Sequence, residues 1–403
     1  MAVGKEHLMS KLVLKICAGT WDNASRDKRE LSVCQELGYD TLVLAKGNAN
    51  DHGREEDVEG FQVRRYSTRP LGNKFPEPIN RALSLFTWAR YARKLRPSII
   101  SGHDIIGLLI GWMSNVFRMS KAKLVYDSHE FEIGRNAKRN KLQIWWITHL
   151  ERFLIKRCAF SIMVNDSIAD EVQRIHKLKQ RPIVVRSTPE KWELHPEKSK
   201  ELREQFLKEM PGVNYLLMYH GFVTSGRGVE NAIKVAARFD DVGVVVLGHT
   251  AGEAYKATLE KLIEKESMTG RVLFHDAVPH SELSDYIGAV DLSNILSDIP
   301  GKSYYYGLPN KFFESIQSLV PVLSTELPEI KRIVGQYGIG MICPVGDIDA
   351  AVECIKKLRA DRELYAQMKN NLVRAKEELC WENEKMVLSD AYASLKKESS
   401  YNE

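Results

Sequence analysis

Short apolar, β-branched runs alternate with helical stretches through nearly the whole chain, and the alternation is interrupted only once. Lys11 to Cys17, Thr41 to Ala45, Phe61 to Tyr66, Ser98 to Ser101, Lys123 to Tyr126, Phe160 to Val164 and Ile183 to Val185 read as strands. Ser25 to Leu37 reads as a helix closed by Gly38, and Glu77 to Leu95 as one stopped at Arg96-Pro97, because proline cannot continue a helix. Strands so apolar, with helices between them, leave no face for water, so the pattern predicts parallel sheets covered on both sides. Thr188 to Gly212 is polar, contains Pro189, Pro196 and Pro211, and reads as a linker with one short helix. The alternation then restarts with Tyr215 to Tyr219, Val242 to Leu247, Arg271 to Phe274, Val290 to Ser293, Pro321 to Ser324 and Ile339 to Ile342. The fold class is therefore α/β, with two Rossmann-like doubly wound parallel-sheet domains facing a cleft and ligands at the strands' carboxyl ends. The expected division is 1–187, a linker 188–211, 212–380, and a final helix 381–403 that packs back on the first domain. The last residues, from Lys396 to Glu403, read as frayed.

Composition excludes several classes. The chain has 403 residues, 44% hydrophobic and 28% charged, enough apolar material for two cores. A net charge of +5 is too mild for a dedicated nucleic-acid binder, and suits phosphate-bearing ligands or an anionic membrane surface. Cys17, Cys34, Cys158, Cys343, Cys354 and Cys380 form no CxxC pair. They read as small core residues in a reducing compartment, and not as a zinc site. Met1 to Ser10 shows no apolar signal segment, and Ile105 to Met113 is too short to cross a bilayer, so a cytoplasmic protein is expected. The basic stretch Gly134 to Lys141 before Trp145-Trp146, and the basic face of Arg81 to Arg96, suit peripheral docking on the inner face of a membrane. A solvated loop before a core helix has the same signature.

Chemistry concentrates at strand ends. Gly221 to Gly228 forms a glycine-bearing turn from a strand into a helix, where backbone N–H groups favour a phosphate and Arg227 adds charge. An ordinary turn with a solvated arginine would look alike. Asn310 reads as the N-cap of a helix that starts after Pro309, with Lys311 adding positive charge. Glu314, one turn in, can accept hydrogen bonds from two vicinal ribose hydroxyls, or serve as a first-turn salt-bridge residue. Asp347-Ile348-Asp349 spells DxD but opens a helix, where an acidic cap is the simpler reading. His129-Glu130 is not HExxH, since Ile133 holds the last position.

Four segments in order carry a resemblance: Ser25-Arg26 to Glu30, Val125 to Glu130, Gly221-Phe222 to Arg227-Gly228, and Leu308 to Glu314. Together they resemble the retaining nucleotide-sugar glycosyltransferases of the GT-B fold, family 4 (glycosyltransferase group 1) type, over about residues 11 to 395. The resemblance implies an acceptor-side first domain and a nucleotide-sugar-binding second domain. The implied activity is hexosyl transfer from a nucleotide diphosphate sugar, commonly a uridine one, to a carbohydrate or lipid-linked acceptor, in cell-surface polysaccharide or glycoconjugate synthesis. It implies no metal, no other cofactor and no nucleic-acid partner. Donor binding falls to Gly221, Phe222, Arg227, Asn310, Lys311 and Glu314, catalysis to His129, Arg227 and Lys311, and an acceptor-side role to Arg26. Asp127 and Glu130 would orient the loop around His129. Two positions depart from the family pattern: Phe222 stands where many members carry arginine, and Tyr306 where the first of two glutamates falls. A sugar-nucleotide epimerase and a non-catalytic nucleotide-sugar-binding protein share the same framework.

Overall fold

The computed structural model describes residues 11–400 apart from 23, 49–50, 73, 117, 119–120, 136–138 and 299–300, with backbone alone for 397–400. The chain divides into two compact units, Met1–Arg186 with Lys385–Glu403, and Ser187–Glu384.

In the first unit the strands are β1 (Leu12–Cys17), β2 (Asp40–Gly47), β3 (Glu55–Val58), β4 (Phe61–Ser67), β5 (Ile99–His103), β6 (Lys123–Ser128), β7 (Cys158–Met163) and β8 (Ile183–Val184). Its crossovers carry α1 (Ser25–Glu36), α2 (Glu77–Leu95), α3 (Asp104–Asn115), α4 (Lys141–Ile155) and α5 (Asp166–His176). The sheet order is β3-β4-β2-β1-β5-β6-β7-β8. Every pairing is parallel except β3 with β4. Because β1 pairs with β2 on one side and β5 on the other, the crossovers diverge there and leave a crevice at the carboxyl ends. The acidic strand β3 (Glu-Glu-Asp-Val) has no apolar period and escapes a hydrophobicity reading. It sits at the sheet edge with Glu55 opposite Arg64, a charged rim that discourages further strand pairing. The apolar run Ile105 to Met113 lies in α3, which buries Ile105, Leu108 and Ile110. No described helix is long and apolar enough to cross a membrane.

The second unit opens with α6 (Pro196–Glu209). The residues expected to act as a linker thus carry a 14-residue helix whose Leu202 and Phe206 are buried in this unit's core with Met210 and Val213. The strands are β9 (Tyr215–His220), β10 (Val242–Leu247), β11 (Val272–His275), β12 (Leu292–Ile295), β13 (Val322–Thr325) and β14 (Gly340–Cys343). The helices are α7 (Val229–Ala236), α8 (Glu253–Lys265), α9 (Leu283–Gly288), α10 (Lys302–Tyr305), α11 (Asn310–Gln317), α12 (Pro328–Tyr337), α13 (Ile348–Ala360) and α14 (Arg362–Glu378). The all-parallel order β11-β10-β9-β12-β13-β14 repeats the first unit's logic, with the divergence now between β9 and β12. Asp347 caps α13 by accepting from the Ala350 N–H at 2.9 Å, as its position at the helix start requires.

The last helix, α15 (Trp381–Ser400), begins in the second unit and belongs to the first from Lys385 onward. Tyr392 is fully buried; its hydroxyl donates to Glu30, and its carbonyl accepts from the Tyr39 hydroxyl at 3.3 Å. Lys123 Nζ reaches the Leu395 carbonyl at 3.1 Å. The end expected to fray from Lys396 is helical to Ser400, and Tyr401–Glu403 lie outside the described residues. Tyr392→Phe should lower first-unit stability by about 2 kcal/mol, since it removes a charge-assisted hydrogen bond from a buried carboxylate. Urea unfolding followed by circular dichroism measures it.

Candidate active site

In the second unit, polar groups collect at the carboxyl ends of β9 and β12. Gly221 leaves β9 with φ +108°, and Gly248 approaches so closely that a Cβ on it would stand 2.0 Å from the Gly221 carbonyl oxygen. Gly228 has φ +102°, and a Cβ there would meet the Leu296 backbone at 2.8 Å. Only glycine fits either position. The turn is latched to β12 and the chain just beyond it: Asn294 Nδ2 donates to the Gly228 carbonyl at 3.1 Å, and Asp298 N–H to that of Gly226 at 2.9 Å. A rigid backbone thus brings Arg227 beside α11. Lys311 Nζ donates to the Arg227 carbonyl at 3.3 Å and lies 3.9 Å from the Tyr219 ring centroid, a cation–π contact. One turn along α11, Glu314 Oε2 lies 3.1 Å from Nε2 of the buried His220. That is an ion-pair distance, although neither ring nitrogen makes a directed hydrogen bond among the described residues.

Burial pushes the Lys311 ammonium down to about 7, Arg227 pushes the same way, and Glu314 opposes them only in part. The second unit therefore holds a cation short of negative partners, next to the first turn of α11, whose unpaired N–H groups favour an anion. Asn310 is the first helical residue and makes no side-chain cap; Pro309, with φ −72° and ψ 148°, takes the cap position. The capping role read for Asn310 is thus displaced by one residue, which leaves its side chain exposed. Phe222 is also exposed, and its carbonyl accepts from the Tyr219 hydroxyl at 2.7 Å. Tyr306 follows the short α10, with its ring 5.2 Å from that of Tyr305.

The first unit builds a different arrangement. Lys15, in the middle of β1, is fully buried, with Nζ 2.7 Å from Asp27 Oδ1 and 3.4 Å from Asp127 Oδ2. Glu30 pairs with it as well, and Ser101 on β5 lies 3.2 Å away. Burial works against its charge, yet Asp27, Glu30 and Asp127 hold the ammonium well above the ordinary lysine value. Asp127 is buried too; Arg26, His129 and Lys15 keep it ionised well below the usual carboxylate range. His129 Nε2 sits 3.0 Å from Asp127 Oδ2, its backbone N–H donates to Asp104 Oδ1 at 3.2 Å, and its ring stacks at a tilt 3.9 Å from His103. Despite burial, Asp127 raises the His129 pKa, and bonds to Asp104 and Asp27 push His103 up to about 12. Asp104 adopts a left-handed φ of +54° to reach these partners, a strained backbone of the kind concentrated at functional sites.

The sequence falls into the same two parts. Residues 31–188 match the model for Glycosyltransferase Family 4, and residues 199–374 match that for glycosyl transferases group 1. The chain is a glycosyltransferase. No curated protein matches its sequence. Its fold is similar to that of sucrose-phosphate synthase from Thermosynechococcus elongatus, with a TM-score of 0.75 at 14% identity over 95% of this chain and 99% of that one. Anabaena Alr3699/HepE, solved in complex with UDP, gives 0.75 at 14% over 96% and 100%. The lipopolysaccharide outer core galactosyltransferase WaaB, in its apo form, gives 0.67 at 12% over 95% and 99%. At such identities the likeness is one of fold, and the fold is GT-B.

Within this glycosyltransferase the structure brings Gly221, Arg227, Lys311 and Glu314 together, and sets His129 in the first unit's ionic cluster. Arg26 is committed inside the first unit: it donates to Asp127 Oδ1 at 3.0 and 3.1 Å and to the Val185 carbonyl at 2.8 Å. A separate cavity of about 430 Å³ lies at the carboxyl ends of β1, β2 and β4, lined by Ala18, Lys46, Thr68, Arg69, Arg81 and Trp88, among others. Neither that cavity nor Lys15 was legible in the sequence. Among the described residues, two groups have the ligand spacing to hold a metal ion, Cys17 with Asp27 and His103, and Asp127 with Asp27 and His129. Lys15 already places a cation against both through Asp27. Lys15→Met would strand the carboxylates and cost the first unit about 3–5 kcal/mol at pH 7. In the wild type the stabilisation from Asp27 and Asp127 is present above the usual carboxylate range and lost only in strong acid. In the variant an uncompensated carboxylate takes up a proton, so the deficit should shrink between pH 7 and pH 5 in urea titrations.

Proposed function

We propose that the chain is a retaining, metal-independent hexosyltransferase of the cytoplasm, taking its sugar from a uridine diphosphate donor. The acceptor is a carbohydrate or lipid-linked saccharide of cell-surface polysaccharide or glycoconjugate synthesis. The observation that carries this reading is the undercompensated Lys311 beside Arg227 and Glu314, at the first turn of α11 and over a glycine turn that presents backbone N–H groups. A pyrophosphate supplies the negative charge this pocket lacks, and Glu314 is at hand to take the ribose hydroxyls. The uridine assignment draws support from Anabaena Alr3699/HepE, solved with UDP, with UDP-glucose, and with UDP and glucose. The cell-surface assignment draws support from WaaB, a lipopolysaccharide galactosyltransferase of the same fold.

In this reading Lys311, Arg227 and the α11 N-terminus stabilise charge growing on the departing phosphate, a contribution of several kcal/mol in a site shielded from water. The glycosidic bond to the phosphate breaks as the acceptor hydroxyl attacks the same face of an oxocarbenium-like carbon, and the hydroxyl proton passes to the leaving phosphate. His129, whose hold on a proton Asp127 strengthens against the effect of burial, serves as an oriented hydrogen-bond donor.

Glu314→Ala and Arg227→Ala should each weaken UDP binding at least tenfold, by isothermal calorimetry, while the melting temperature without ligand stays near wild type. Wild-type affinity in both variants would overturn the assignment. Lys311 gives a pH signature. Burial and Arg227, opposed by Glu314, leave it about half protonated near pH 7, and a bound diphosphate favours the charged form. Above pH 7, binding should take up a proton and Kd should rise by up to about tenfold per pH unit, until the bound-state pKa is passed. Calorimetry at pH 8 in two buffers of different ionisation enthalpy reads that proton directly, and Lys311→Met abolishes it.

A further inference from the structure

Helix α2 separates two cavities of the first unit. Ser84, Leu85 and Trp88 face the 430 Å³ cavity at the strand ends. On its other side, Phe86, Ala89 and Arg90 line a groove of about 530 Å³ against Trp112, Met113 and Val116 of the α3 end. The floor of this groove is apolar and its rim is cationic. Between Glu77 and Asp127 the chain has eight lysines and arginines and one carboxylate, Asp104, which sits at the far end of α3 and is occupied by His103 and Arg135. Arg90, Arg93, Lys94, Arg96 and Arg118 form no ion pair among the described residues. Arg93 donates to the Ser114 and Met113 carbonyls at 3.3 Å, and Arg118 Nη2 to the Pro97 carbonyl at 3.4 Å, while Arg118 Nη1 is buried without a partner. The guanidiniums of Arg96 and Arg93 crowd Arg118 strongly enough to lower its pKa further, beyond the effect of its burial. A protein surface seldom gathers like charges without interleaved carboxylates unless an anion is to meet them.

The apolar half continues onto α4. Trp112 meets Phe153 edge to face at 5.1 Å, and from Phe153 a stripe of Trp146, Trp145 and Leu142 runs along one side of the helix at helical spacing. Leu142 and Trp146 are 64% and 62% exposed, and Phe86 on α2 is 59% exposed, too much apolar surface in one place to be incidental. The basic stretch that the sequence points to is partly neutralised here. Arg135 is paired with Asp104 and Arg139 with Glu132, while Asn136, Ala137 and Lys138 lie outside the described residues. The uncompensated charge belongs to the C-terminal ends of α2 and α3.

We infer that the face formed by α2, α3 and α4 docks on an anionic lipid bilayer. The Arg90–Arg118 cluster takes phosphate headgroups, the α2–α3 groove admits acyl chain, and the α4 aromatics sit at the interface. Charge complementarity selects this occupant: phosphate and hydrocarbon lie side by side in a bilayer surface, as cations and apolar groove do here. The inference does not depend on the transfer reaction, since docking is read without donor or acceptor.

The test is flotation of the full chain with vesicles of phosphatidylglycerol in phosphatidylcholine, against vesicles of phosphatidylcholine alone. Wild-type protein should float with the anionic vesicles only, with tryptophan emission moving to the blue, and raised salt should release it. Arg90→Gln with Lys94→Gln should weaken flotation about 30-fold. Trp145→Ala with Trp146→Ala should weaken it and remove the emission shift. Both double variants should keep wild-type UDP affinity, which shows the fold and the donor site intact. Equal flotation with neutral vesicles, flotation of the charge variant like wild type, or no flotation at all, as for a face that meets an acidic protein, would each overturn the inference.

Discussion

Two lysines, Lys15 fully buried and Lys311 partly so, carry the contrast on which this molecule is built. An ammonium removed from water costs several kcal/mol unless carboxylates and hydrogen bonds replace its hydration. Lys15 receives full replacement: Asp27 and Glu30 from α1, Asp127 from β6 and Ser101 from β5 close around it. Its charge is locked in, and with it the relative positions of three adjacent parallel strands and the helix that covers them. Lys311 receives only part of that replacement, from one carboxylate a turn away, a carbonyl and an aromatic face. The first arrangement is a finished structure. The second is, in the proposed reading, a structure that a negative ligand completes.

The same difference explains what could be read from sequence. Arg227, Lys311 and Glu314 lie in short motifs at a strand-to-helix turn and a helix start, so their placement follows from local geometry. Lys15 looks like a stray polar residue in an apolar strand. Its partners lie up to 112 residues away along the chain, and no local period announces them. His220 is hidden in the same way, as the last letter of an apolar strand. The parallel strands were legible because their burial on both faces demands continuous apolar runs, whereas β3 earns its place by pairing and charge alone. The capping reading of Asn310 missed by one residue, because the ring of Pro309 fixes φ, here −72°, and with ψ 148° supplies the extended backbone that a cap needs.

The ionic cluster also bears on how the first unit presents its histidines. His103 and His129 face each other across 3.9 Å, and Asp27, Asp104 and Asp127 surround the pair and favour positive charge on both rings. Each ring nitrogen bound to a carboxylate is orientated by it, so His129 is held in one pose without a ligand. Pre-set donors of this kind lower the reorganisation needed when charge develops nearby. The strained Asp104 backbone belongs to the same device, since only that conformation lets one carboxylate serve the His129 amide, His103 and Arg135 together.

Tyr392 reaches Glu30 from the far end of the chain, and this orders events during synthesis. A nascent chain on the ribosome completes the second unit's sheet before α15 has emerged. The earlier-made first unit waits for α15, with Glu30 lacking the Tyr392 hydroxyl and with Tyr39 and Phe160 uncovered on that side. The unit whose synthesis begins first is thus completed after the second unit's sheet.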